Sequence, residues 1–208
     1  MQVFQNAQNL PQEPFFDFIK VTEYCFQSTI VIGFILLTLG TLVHFRHSVL
    51  EGDMAMKMIG VIGAGSCNNE TYELARKVGV GIAKMGATLV CGGLGGVMEG
   101  ACRGAHEAGG QTVGILPGPD RADANPYVTI PIVTDLGHAR NVLVVRSSDL
   151  LVAISGGYGT LSEISIALKL GKPVIGLGTW QNMEGVQYVT TPEEAIDAIY
   201  NTSAVPLA

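Results

Sequence analysis

The chain has 208 residues, enough for one ordinary domain and an appendage, and 48% of them are apolar while only 14% are charged. That balance excludes disorder for the bulk of the chain. With 12 Lys and Arg against 18 Asp and Glu and no basic run, the chain has no electrostatic footprint for a nucleic-acid backbone, so no nucleic-acid partner is expected.

Residues 1–56 differ in kind from the rest. Between Glu23 and Arg46 the chain carries no formal charge, and residues 24–45 reach the roughly 20 residues that cross a hydrocarbon core. The run begins late, behind Glu13, Asp17 and Glu23, and no small-x-small cleavage site follows closely, so a membrane anchor fits better than a cleaved signal peptide. Two other readings stay open: a helix packed on a partner, and an upstream extension of the working protein, since Met54, Met56 and Met58 stand just before the first strong strand. Arg46 and Lys57 behind the run, against Lys20 before it, place the globular part in the cytoplasm.

From residue 57 to 208 short apolar runs alternate with amphipathic stretches, and this part is expected to form one domain. The pattern predicts strands at 58–62, 87–91 and 111–115, an edge or bulged strand at 128–133 because of Pro131, and further strands at 150–154 and 173–177. Helices are predicted at 70–85, 96–108, 136–146, 160–170 and from Pro192 to Tyr200. Strands that are apolar throughout and separated by helices imply a Rossmann-like α/β domain, doubly wound around a mainly parallel sheet with helices on both faces. Its ligand is expected beyond the strand C-termini.

The 27 glycines are about twice the ~7% background, and they concentrate at those strand ends. The first strand runs into Gly63-Ala64-Gly65-Ser66, the opening of a dinucleotide fingerprint whose third glycine is replaced by Asn68; it reads as a tight turn whose Gly65 and Ser66 amides could meet a phosphate. A near-repeat is the stronger signal. Gly92-Gly93-Leu94-Gly95-Gly96 and Gly156-Gly157-Tyr158-Gly159-Thr160 each join a strand to a helix and are followed by Glu99 and Glu163. Glycine lets the backbone approach an anion, and the helix that follows offers unpaired N–H groups at the positive end of its dipole. Two such turns at neighbouring strand ends would clasp a phosphate. Thr160 could hydrogen-bond that phosphate or cap its helix, and Glu163 falls in a first turn, where a carboxylate is favoured without function. Met98 and Tyr158 read as packing residues or pocket lining, and Trp180 as a cover for a planar ring or as an oligomer contact. The cysteines, Cys25, Cys67, Cys91 and Cys102, show no CxxC pair and no nearby histidine, so neither a metal site nor a disulfide framework is expected.

With Ala139-Arg140-Asn141 between the two glycine turns, these motifs resemble the LOG-like superfamily of Rossmann nucleotide-binding proteins, historically mislabelled lysine decarboxylases, over residues 57–177. The superfamily includes cytokinin-activating phosphoribohydrolases, which release a base from a nucleoside 5′-monophosphate, and molybdenum-cofactor carriers. The phosphoribohydrolase motif is PGGxGTxxE, preceded by GGGxxGxMG and an Arg-Lys pair. Here Ser155 replaces the proline, the upstream loop is tighter, and Asn141 replaces the lysine, departures similar to the carrier-like branch. The resemblance implies a binding protein for a phosphorylated nucleotide or pterin, with the molybdenum cofactor as a ligand and no required cofactor, assembled as a homodimer or homotetramer. The alternative it implies is a phosphoribohydrolase, in which Glu163 stabilises an oxocarbenium-like state and Arg140 binds phosphate or base. By the residues alone, Arg140 could equally form a surface ion pair with Asp135 or Asp149.

Overall fold

The computed structural model describes residues 57–203. Seven strands form one wholly parallel sheet: β1 (Met58–Gly63), β2 (Thr88–Cys91), β3 (Thr112–Leu116), β4 (Ile130–Val133), β5 (Leu150–Ile154), β6 (Val174–Leu177) and β7 (Val186–Val189), in the order β4-β3-β2-β1-β5-β6-β7. The helices are α1 (Asn69–Lys84), α2 (Val97–Glu107), α3 (Asn141–Arg146), α4 (Tyr158–Lys169) and α5 (Pro192–Ser203).

Side chains of a strand alternate between faces, and two cores result. Ile59 and Val61 of β1, Leu89 and Cys91 of β2, and Val152 and Ile154 of β5 meet α1, α2 and α5 through Val78, Ile82, Ala101 and Ile199. On the opposite face Ile62, Val90, Leu151 and Ala153 meet α3 and α4 through Val144, Val145, Ile164 and Ala167. Both faces are covered, so the central strands carry no polar alternation, as the sequence pattern implied. The chain winds outward from β1 to β4 and then returns to β1's other edge with β5, which makes the β1/β5 junction the topological switch point where such sheets bind ligands.

Local signals set the element ends. Asn68 caps α1, its side chain accepting from the Thr71 amide at 2.9 Å. Gly86, Gly109 and Gly171, all at positive φ, follow the ends of α1, α2 and α4. Pro131 lies on the exposed edge strand β4, as expected of a residue without a ladder donor. The structure differs from the sequence expectation in two elements. The 136–146 segment divides into a 3₁₀ turn over Gly137–Arg140 and the short helix α3. β7 was not anticipated: it is a four-residue edge strand, half exposed, with too short an apolar run to register.

Among the described residues no helix is long and apolar enough to cross a membrane. The apolar stretch 24–45 lies outside them.

Helices α1 and α2 pack closely because small residues line their contact. A Cβ built at Gly79 would overlap the Ala101 carbonyl, and one at Gly104 would overlap the Arg76 carbonyl. Backbone cannot yield as a flexible side chain does. Gly104→Ala is therefore expected to destabilise the protein by about 1–3 kcal/mol or more, read as a lower urea midpoint, whereas Gly157→Ala, which meets open space, leaves the midpoint unchanged.

Candidate functional site

The loops after β1, β2 and β5 share one rim of the sheet. The two glycine-rich turns are not at adjacent strand ends, as the sequence reading had it. They follow β2 and β5, and β1 with its Gly63-Ala64-Gly65-Ser66 turn runs between them.

The turns also differ in use. Gly92 is buried against a side chain from far along the chain: a Cβ there would meet the Arg140 guanidinium, its Cζ at 2.7 Å. Gly93, at φ 74, has its carbonyl occupied by the Asn125 amide at 2.9 Å and by Asn125 Nδ2 at 3.2 Å. Gly95 faces the Gly65 carbonyl, and Gly96, at φ 62, packs on the backbone of Ala64–Ser66. Val97, first residue of α2, donates its N–H to the Ala64 carbonyl at 3.0 Å. This turn thus serves mainly the protein's own packing. Gly65 and Ser66 remain exposed beside it.

The second turn is open. Gly156, at φ 104, accommodates the Thr160 side chain, which is buried. Gly157 is the N-cap of α4 with no side-chain cap, and among the described residues nothing lies within 4 Å of a Cβ built at Gly157 or Gly159. The first intrahelical bond is from Leu161 N–H to the Gly157 carbonyl, so the amides of Tyr158, Gly159 and Thr160 precede any helical acceptor. Thr160 does not cap its helix, which corrects that alternative.

Arg140 is no surface ion-pair residue. Only 7% exposed, it reaches from the 3₁₀ turn before α3 to a point between Gly92 and Glu163, while Asp149 instead accepts the Met58 amide. Its Nη1 donates to Asn141 Oδ1 at 2.7 Å and lies 3.5 Å from Glu163 Oε1; its Nη2 donates to the Gly92 carbonyl at 3.4 Å; its Nε is buried with no partner among the described residues. Asn141 completes the link. Its Nδ2 donates to Ser162 Oγ at 3.1 Å, and Ser162 Oγ donates to the Gly159 carbonyl at 2.6 Å, tying the arginine to the first turn of α4. The sequence reading noted Asn141 only as a departure. The signal for its role is chemical: an amide can accept from arginine and donate onward, and a lysine cannot accept.

Glu163 lies past the first turn of α4, so the helix dipole does not account for it. It is 6% exposed. Burial pushes its carboxyl up to about 7, and the Arg140 guanidinium, pulling the other way, only partly offsets this. The 3.5 Å separation explains the shortfall, because charge-assisted hydrogen bonds run nearer 2.7–2.9 Å. The counterpart Glu99 has a different neighbour, the Tyr72 hydroxyl at 3.4 Å. Beneath the first turn, the buried thiols of Cys91 and Cys102 lie 3.4 Å apart, and the Gly93 amide donates to Cys91 Sγ.

Met98 packs in the core, as expected. Tyr158 does not: it is 83% exposed, its ring tilted 40° against Trp180 with centroids 5.8 Å apart. Among the described residues no group of three or more His, Cys, Asp or Glu is placed to hold a metal ion.

Residues 56–204 match the model of the SLOG cluster4 family. The structure is similar to that of the molybdenum cofactor binding protein of the phototrophic bacterium Rippkaea orientalis, with 38% identity and a TM-score of 0.68, covering 72% of this chain and 99% of that one. It is similar to the molybdenum cofactor carrier protein of Chlamydomonas reinhardtii, again at 38% identity and the same coverages, with a TM-score of 0.66. A cytokinin riboside 5′-monophosphate phosphoribohydrolase of Mycobacterium tuberculosis is 35% identical over 133 residues, which cover 60% of this chain and 71% of that protein.

The raised carboxyl of Glu163 makes stability depend on pH. Between the ordinary glutamate value and about 7 the folded chain holds a proton that the unfolded chain has lost. The stabilisation from that proton is therefore complete below pH ~4.3 and is lost as pH rises through about 7. Urea unfolding across pH 5 to 8 should show the wild type losing on the order of 2–3 kcal/mol relative to Glu163→Gln. Parallel curves for the two proteins would contradict the assignment.

Proposed function

The chain belongs to the SLOG cluster4 family, on the molybdenum-cofactor-carrier-like side of the LOG-like superfamily, and from that membership we propose that it binds a phosphorylated nucleotide or pterin as a carrier. The observation that carries the reading is the open N-terminus of α4 beside a buried guanidinium with an unpartnered Nε. The terminus supplies N–H donors to an anion and the guanidinium a positive charge behind the rim, and a phosphate is what the two ligand classes share. The molybdenum cofactor fits this description as cargo: its phosphate would meet the amides of Tyr158, Gly159 and Thr160, with Gly65 and Ser66 on the facing loop.

Ser155 favours carriage over hydrolysis. It stands where the phosphoribohydrolase motif has proline, and it takes φ 52 while donating its N–H to the Leu177 carbonyl at 3.3 Å. Proline, fixed near −65° and lacking the donor, could do neither. The loop therefore follows a path closed to the PGG form. The hydrolase remains the second reading because Glu163 and Arg140 face one another at the site, and because the mycobacterial relative carries that activity in its name. In it, ionised Glu163 would stabilise positive charge at the anomeric carbon and position water, and Arg140 would hold phosphate or base.

The assembly proposed with this function is a homodimer or homotetramer. Ile130, Ile132 and Val133 of β4 and Leu136, Val142 and Leu143 nearby in the chain are large apolar residues left exposed, a composition suited to a subunit contact.

Incubating the full chain with AMP and related monophosphates separates the two readings. The carrier reading expects retention of molybdopterin without turnover and no free base. Base release that vanishes in Glu163→Ala while phosphate binding persists would establish the hydrolase instead.

A further inference from the structure

Tyr158 is the first residue of α4, so the amide that faces the anion and the exposed ring belong to the same residue. Among the described residues its ring meets Trp180 and joins neither core. Trp180 is held firmly. It packs against the core on the α3/α4 face, its indole N–H donates to the Gly157 carbonyl at 3.1 Å, and its own carbonyl accepts the Tyr188 hydroxyl at 2.8 Å. That hydroxyl in turn accepts the Met183 amide at 2.9 Å. Beneath Trp180, the Thr179 hydroxyl donates to the Ser155 carbonyl at 2.6 Å. The loop after β6 is thus clamped onto the glycine turn after β5, with one aromatic ring fixed and another leaning on it from solvent.

Fixed aromatic faces stack on planar heterocycles with little entropic cost, and every purine or pterin presents such a face. Neighbouring strands lie ~4.8 Å apart, so a ring on the β6 side of the α4 N-terminus is within a nucleotide's reach of a phosphate on that terminus. We propose that Tyr158 and Trp180, their rings already in contact, form an aromatic clip on whose outer face the fused-ring part of the ligand stacks while the α4 amides hold its phosphate. The inference rests on the phosphate reading above.

Trp180 is the single tryptophan of the chain, so the full-length protein carries its own reporter. Fluorescence and calorimetric titrations with AMP, a pterin monophosphate and ribose 5-phosphate are expected to show all three binding, with quenching of Trp180 only by a ligand that has a ring. Quenching by AMP identifies a purine and quenching by the pterin a pterin, and either supports the clip. Tyr158→Ala should weaken the quenching ligand roughly tenfold and leave ribose 5-phosphate unchanged, and Tyr158→Phe should restore the wild-type value. Ring ligands that bind no tighter than ribose 5-phosphate and leave Trp180 unquenched overturn the clip but not the phosphate reading. Loss of all binding, ribose 5-phosphate included, overturns both. A Tyr158→Ala protein that sediments as a smaller species with ligand affinities unchanged makes the pair a subunit contact and overturns the proposal.

Discussion

A guanidinium taken out of water must be met by polar partners, and the buried charge of Arg140 organises the rim around itself. Gly92 is glycine because the guanidinium fills the space a side chain would need. Asn141 accepts from Arg140 and connects it to Ser162 and the Gly159 carbonyl. Glu163 faces it across 3.5 Å, too far for a strong charge-assisted bond and close enough to restrain the carboxyl's rise. One side chain from the turn before α3 thereby ties the end of β2 to the start of α4, across the strand between them. Cutting any of these links leaves a buried charge less compensated, which costs more than an ordinary hydrogen bond.

The two glycine turns look alike in sequence and have diverged in employment. The first closes on itself: its carbonyl takes Asn125, its Cα atoms abut the β1 loop, and its helix gives its leading amide to Ala64. The second presents the α4 terminus to solvent without a cap. The asymmetry follows from the sheet order. The turn after β2 is flanked by β3 and β1 and is filled from both sides. The turn after β5 has on one side the β6 loop, which supports it through Ser155 and Trp180 instead of covering it.

The sheet was legible in the sequence because its central strands, buried on both faces, read as uninterrupted apolar runs, and glycine, or Pro117 after β3, marked where each ended. β7 was not, since four half-exposed residues carry neither an apolar run nor a clean alternation. At the site, Arg140 and Glu163 were nameable from their motifs, but their contact was not, because the burial of a charge depends on partners that only the fold supplies. The role of Gly92 was hidden for the same reason: its constraint comes from a residue 48 positions away. The exposure of Tyr158 was also unreadable, since an aromatic residue opening a helix is compatible with core packing until the neighbouring loop is placed.

The open space above Gly157 and Gly159 has an evolutionary meaning. Among the described residues nothing forbids a side chain at either position, and Gly157, at φ −107, has a backbone that other residues adopt. Under the proposed function, pressure to keep hydrogen there comes from the ligand. Gly92, Gly93 and Gly96, by contrast, answer to the chain's own interior. Across descendants of this fold, drift at residues 157 and 159 would, under the proposed function, record a change of ligand, while invariance at residues 92, 93 and 96 would record that the protein still folds.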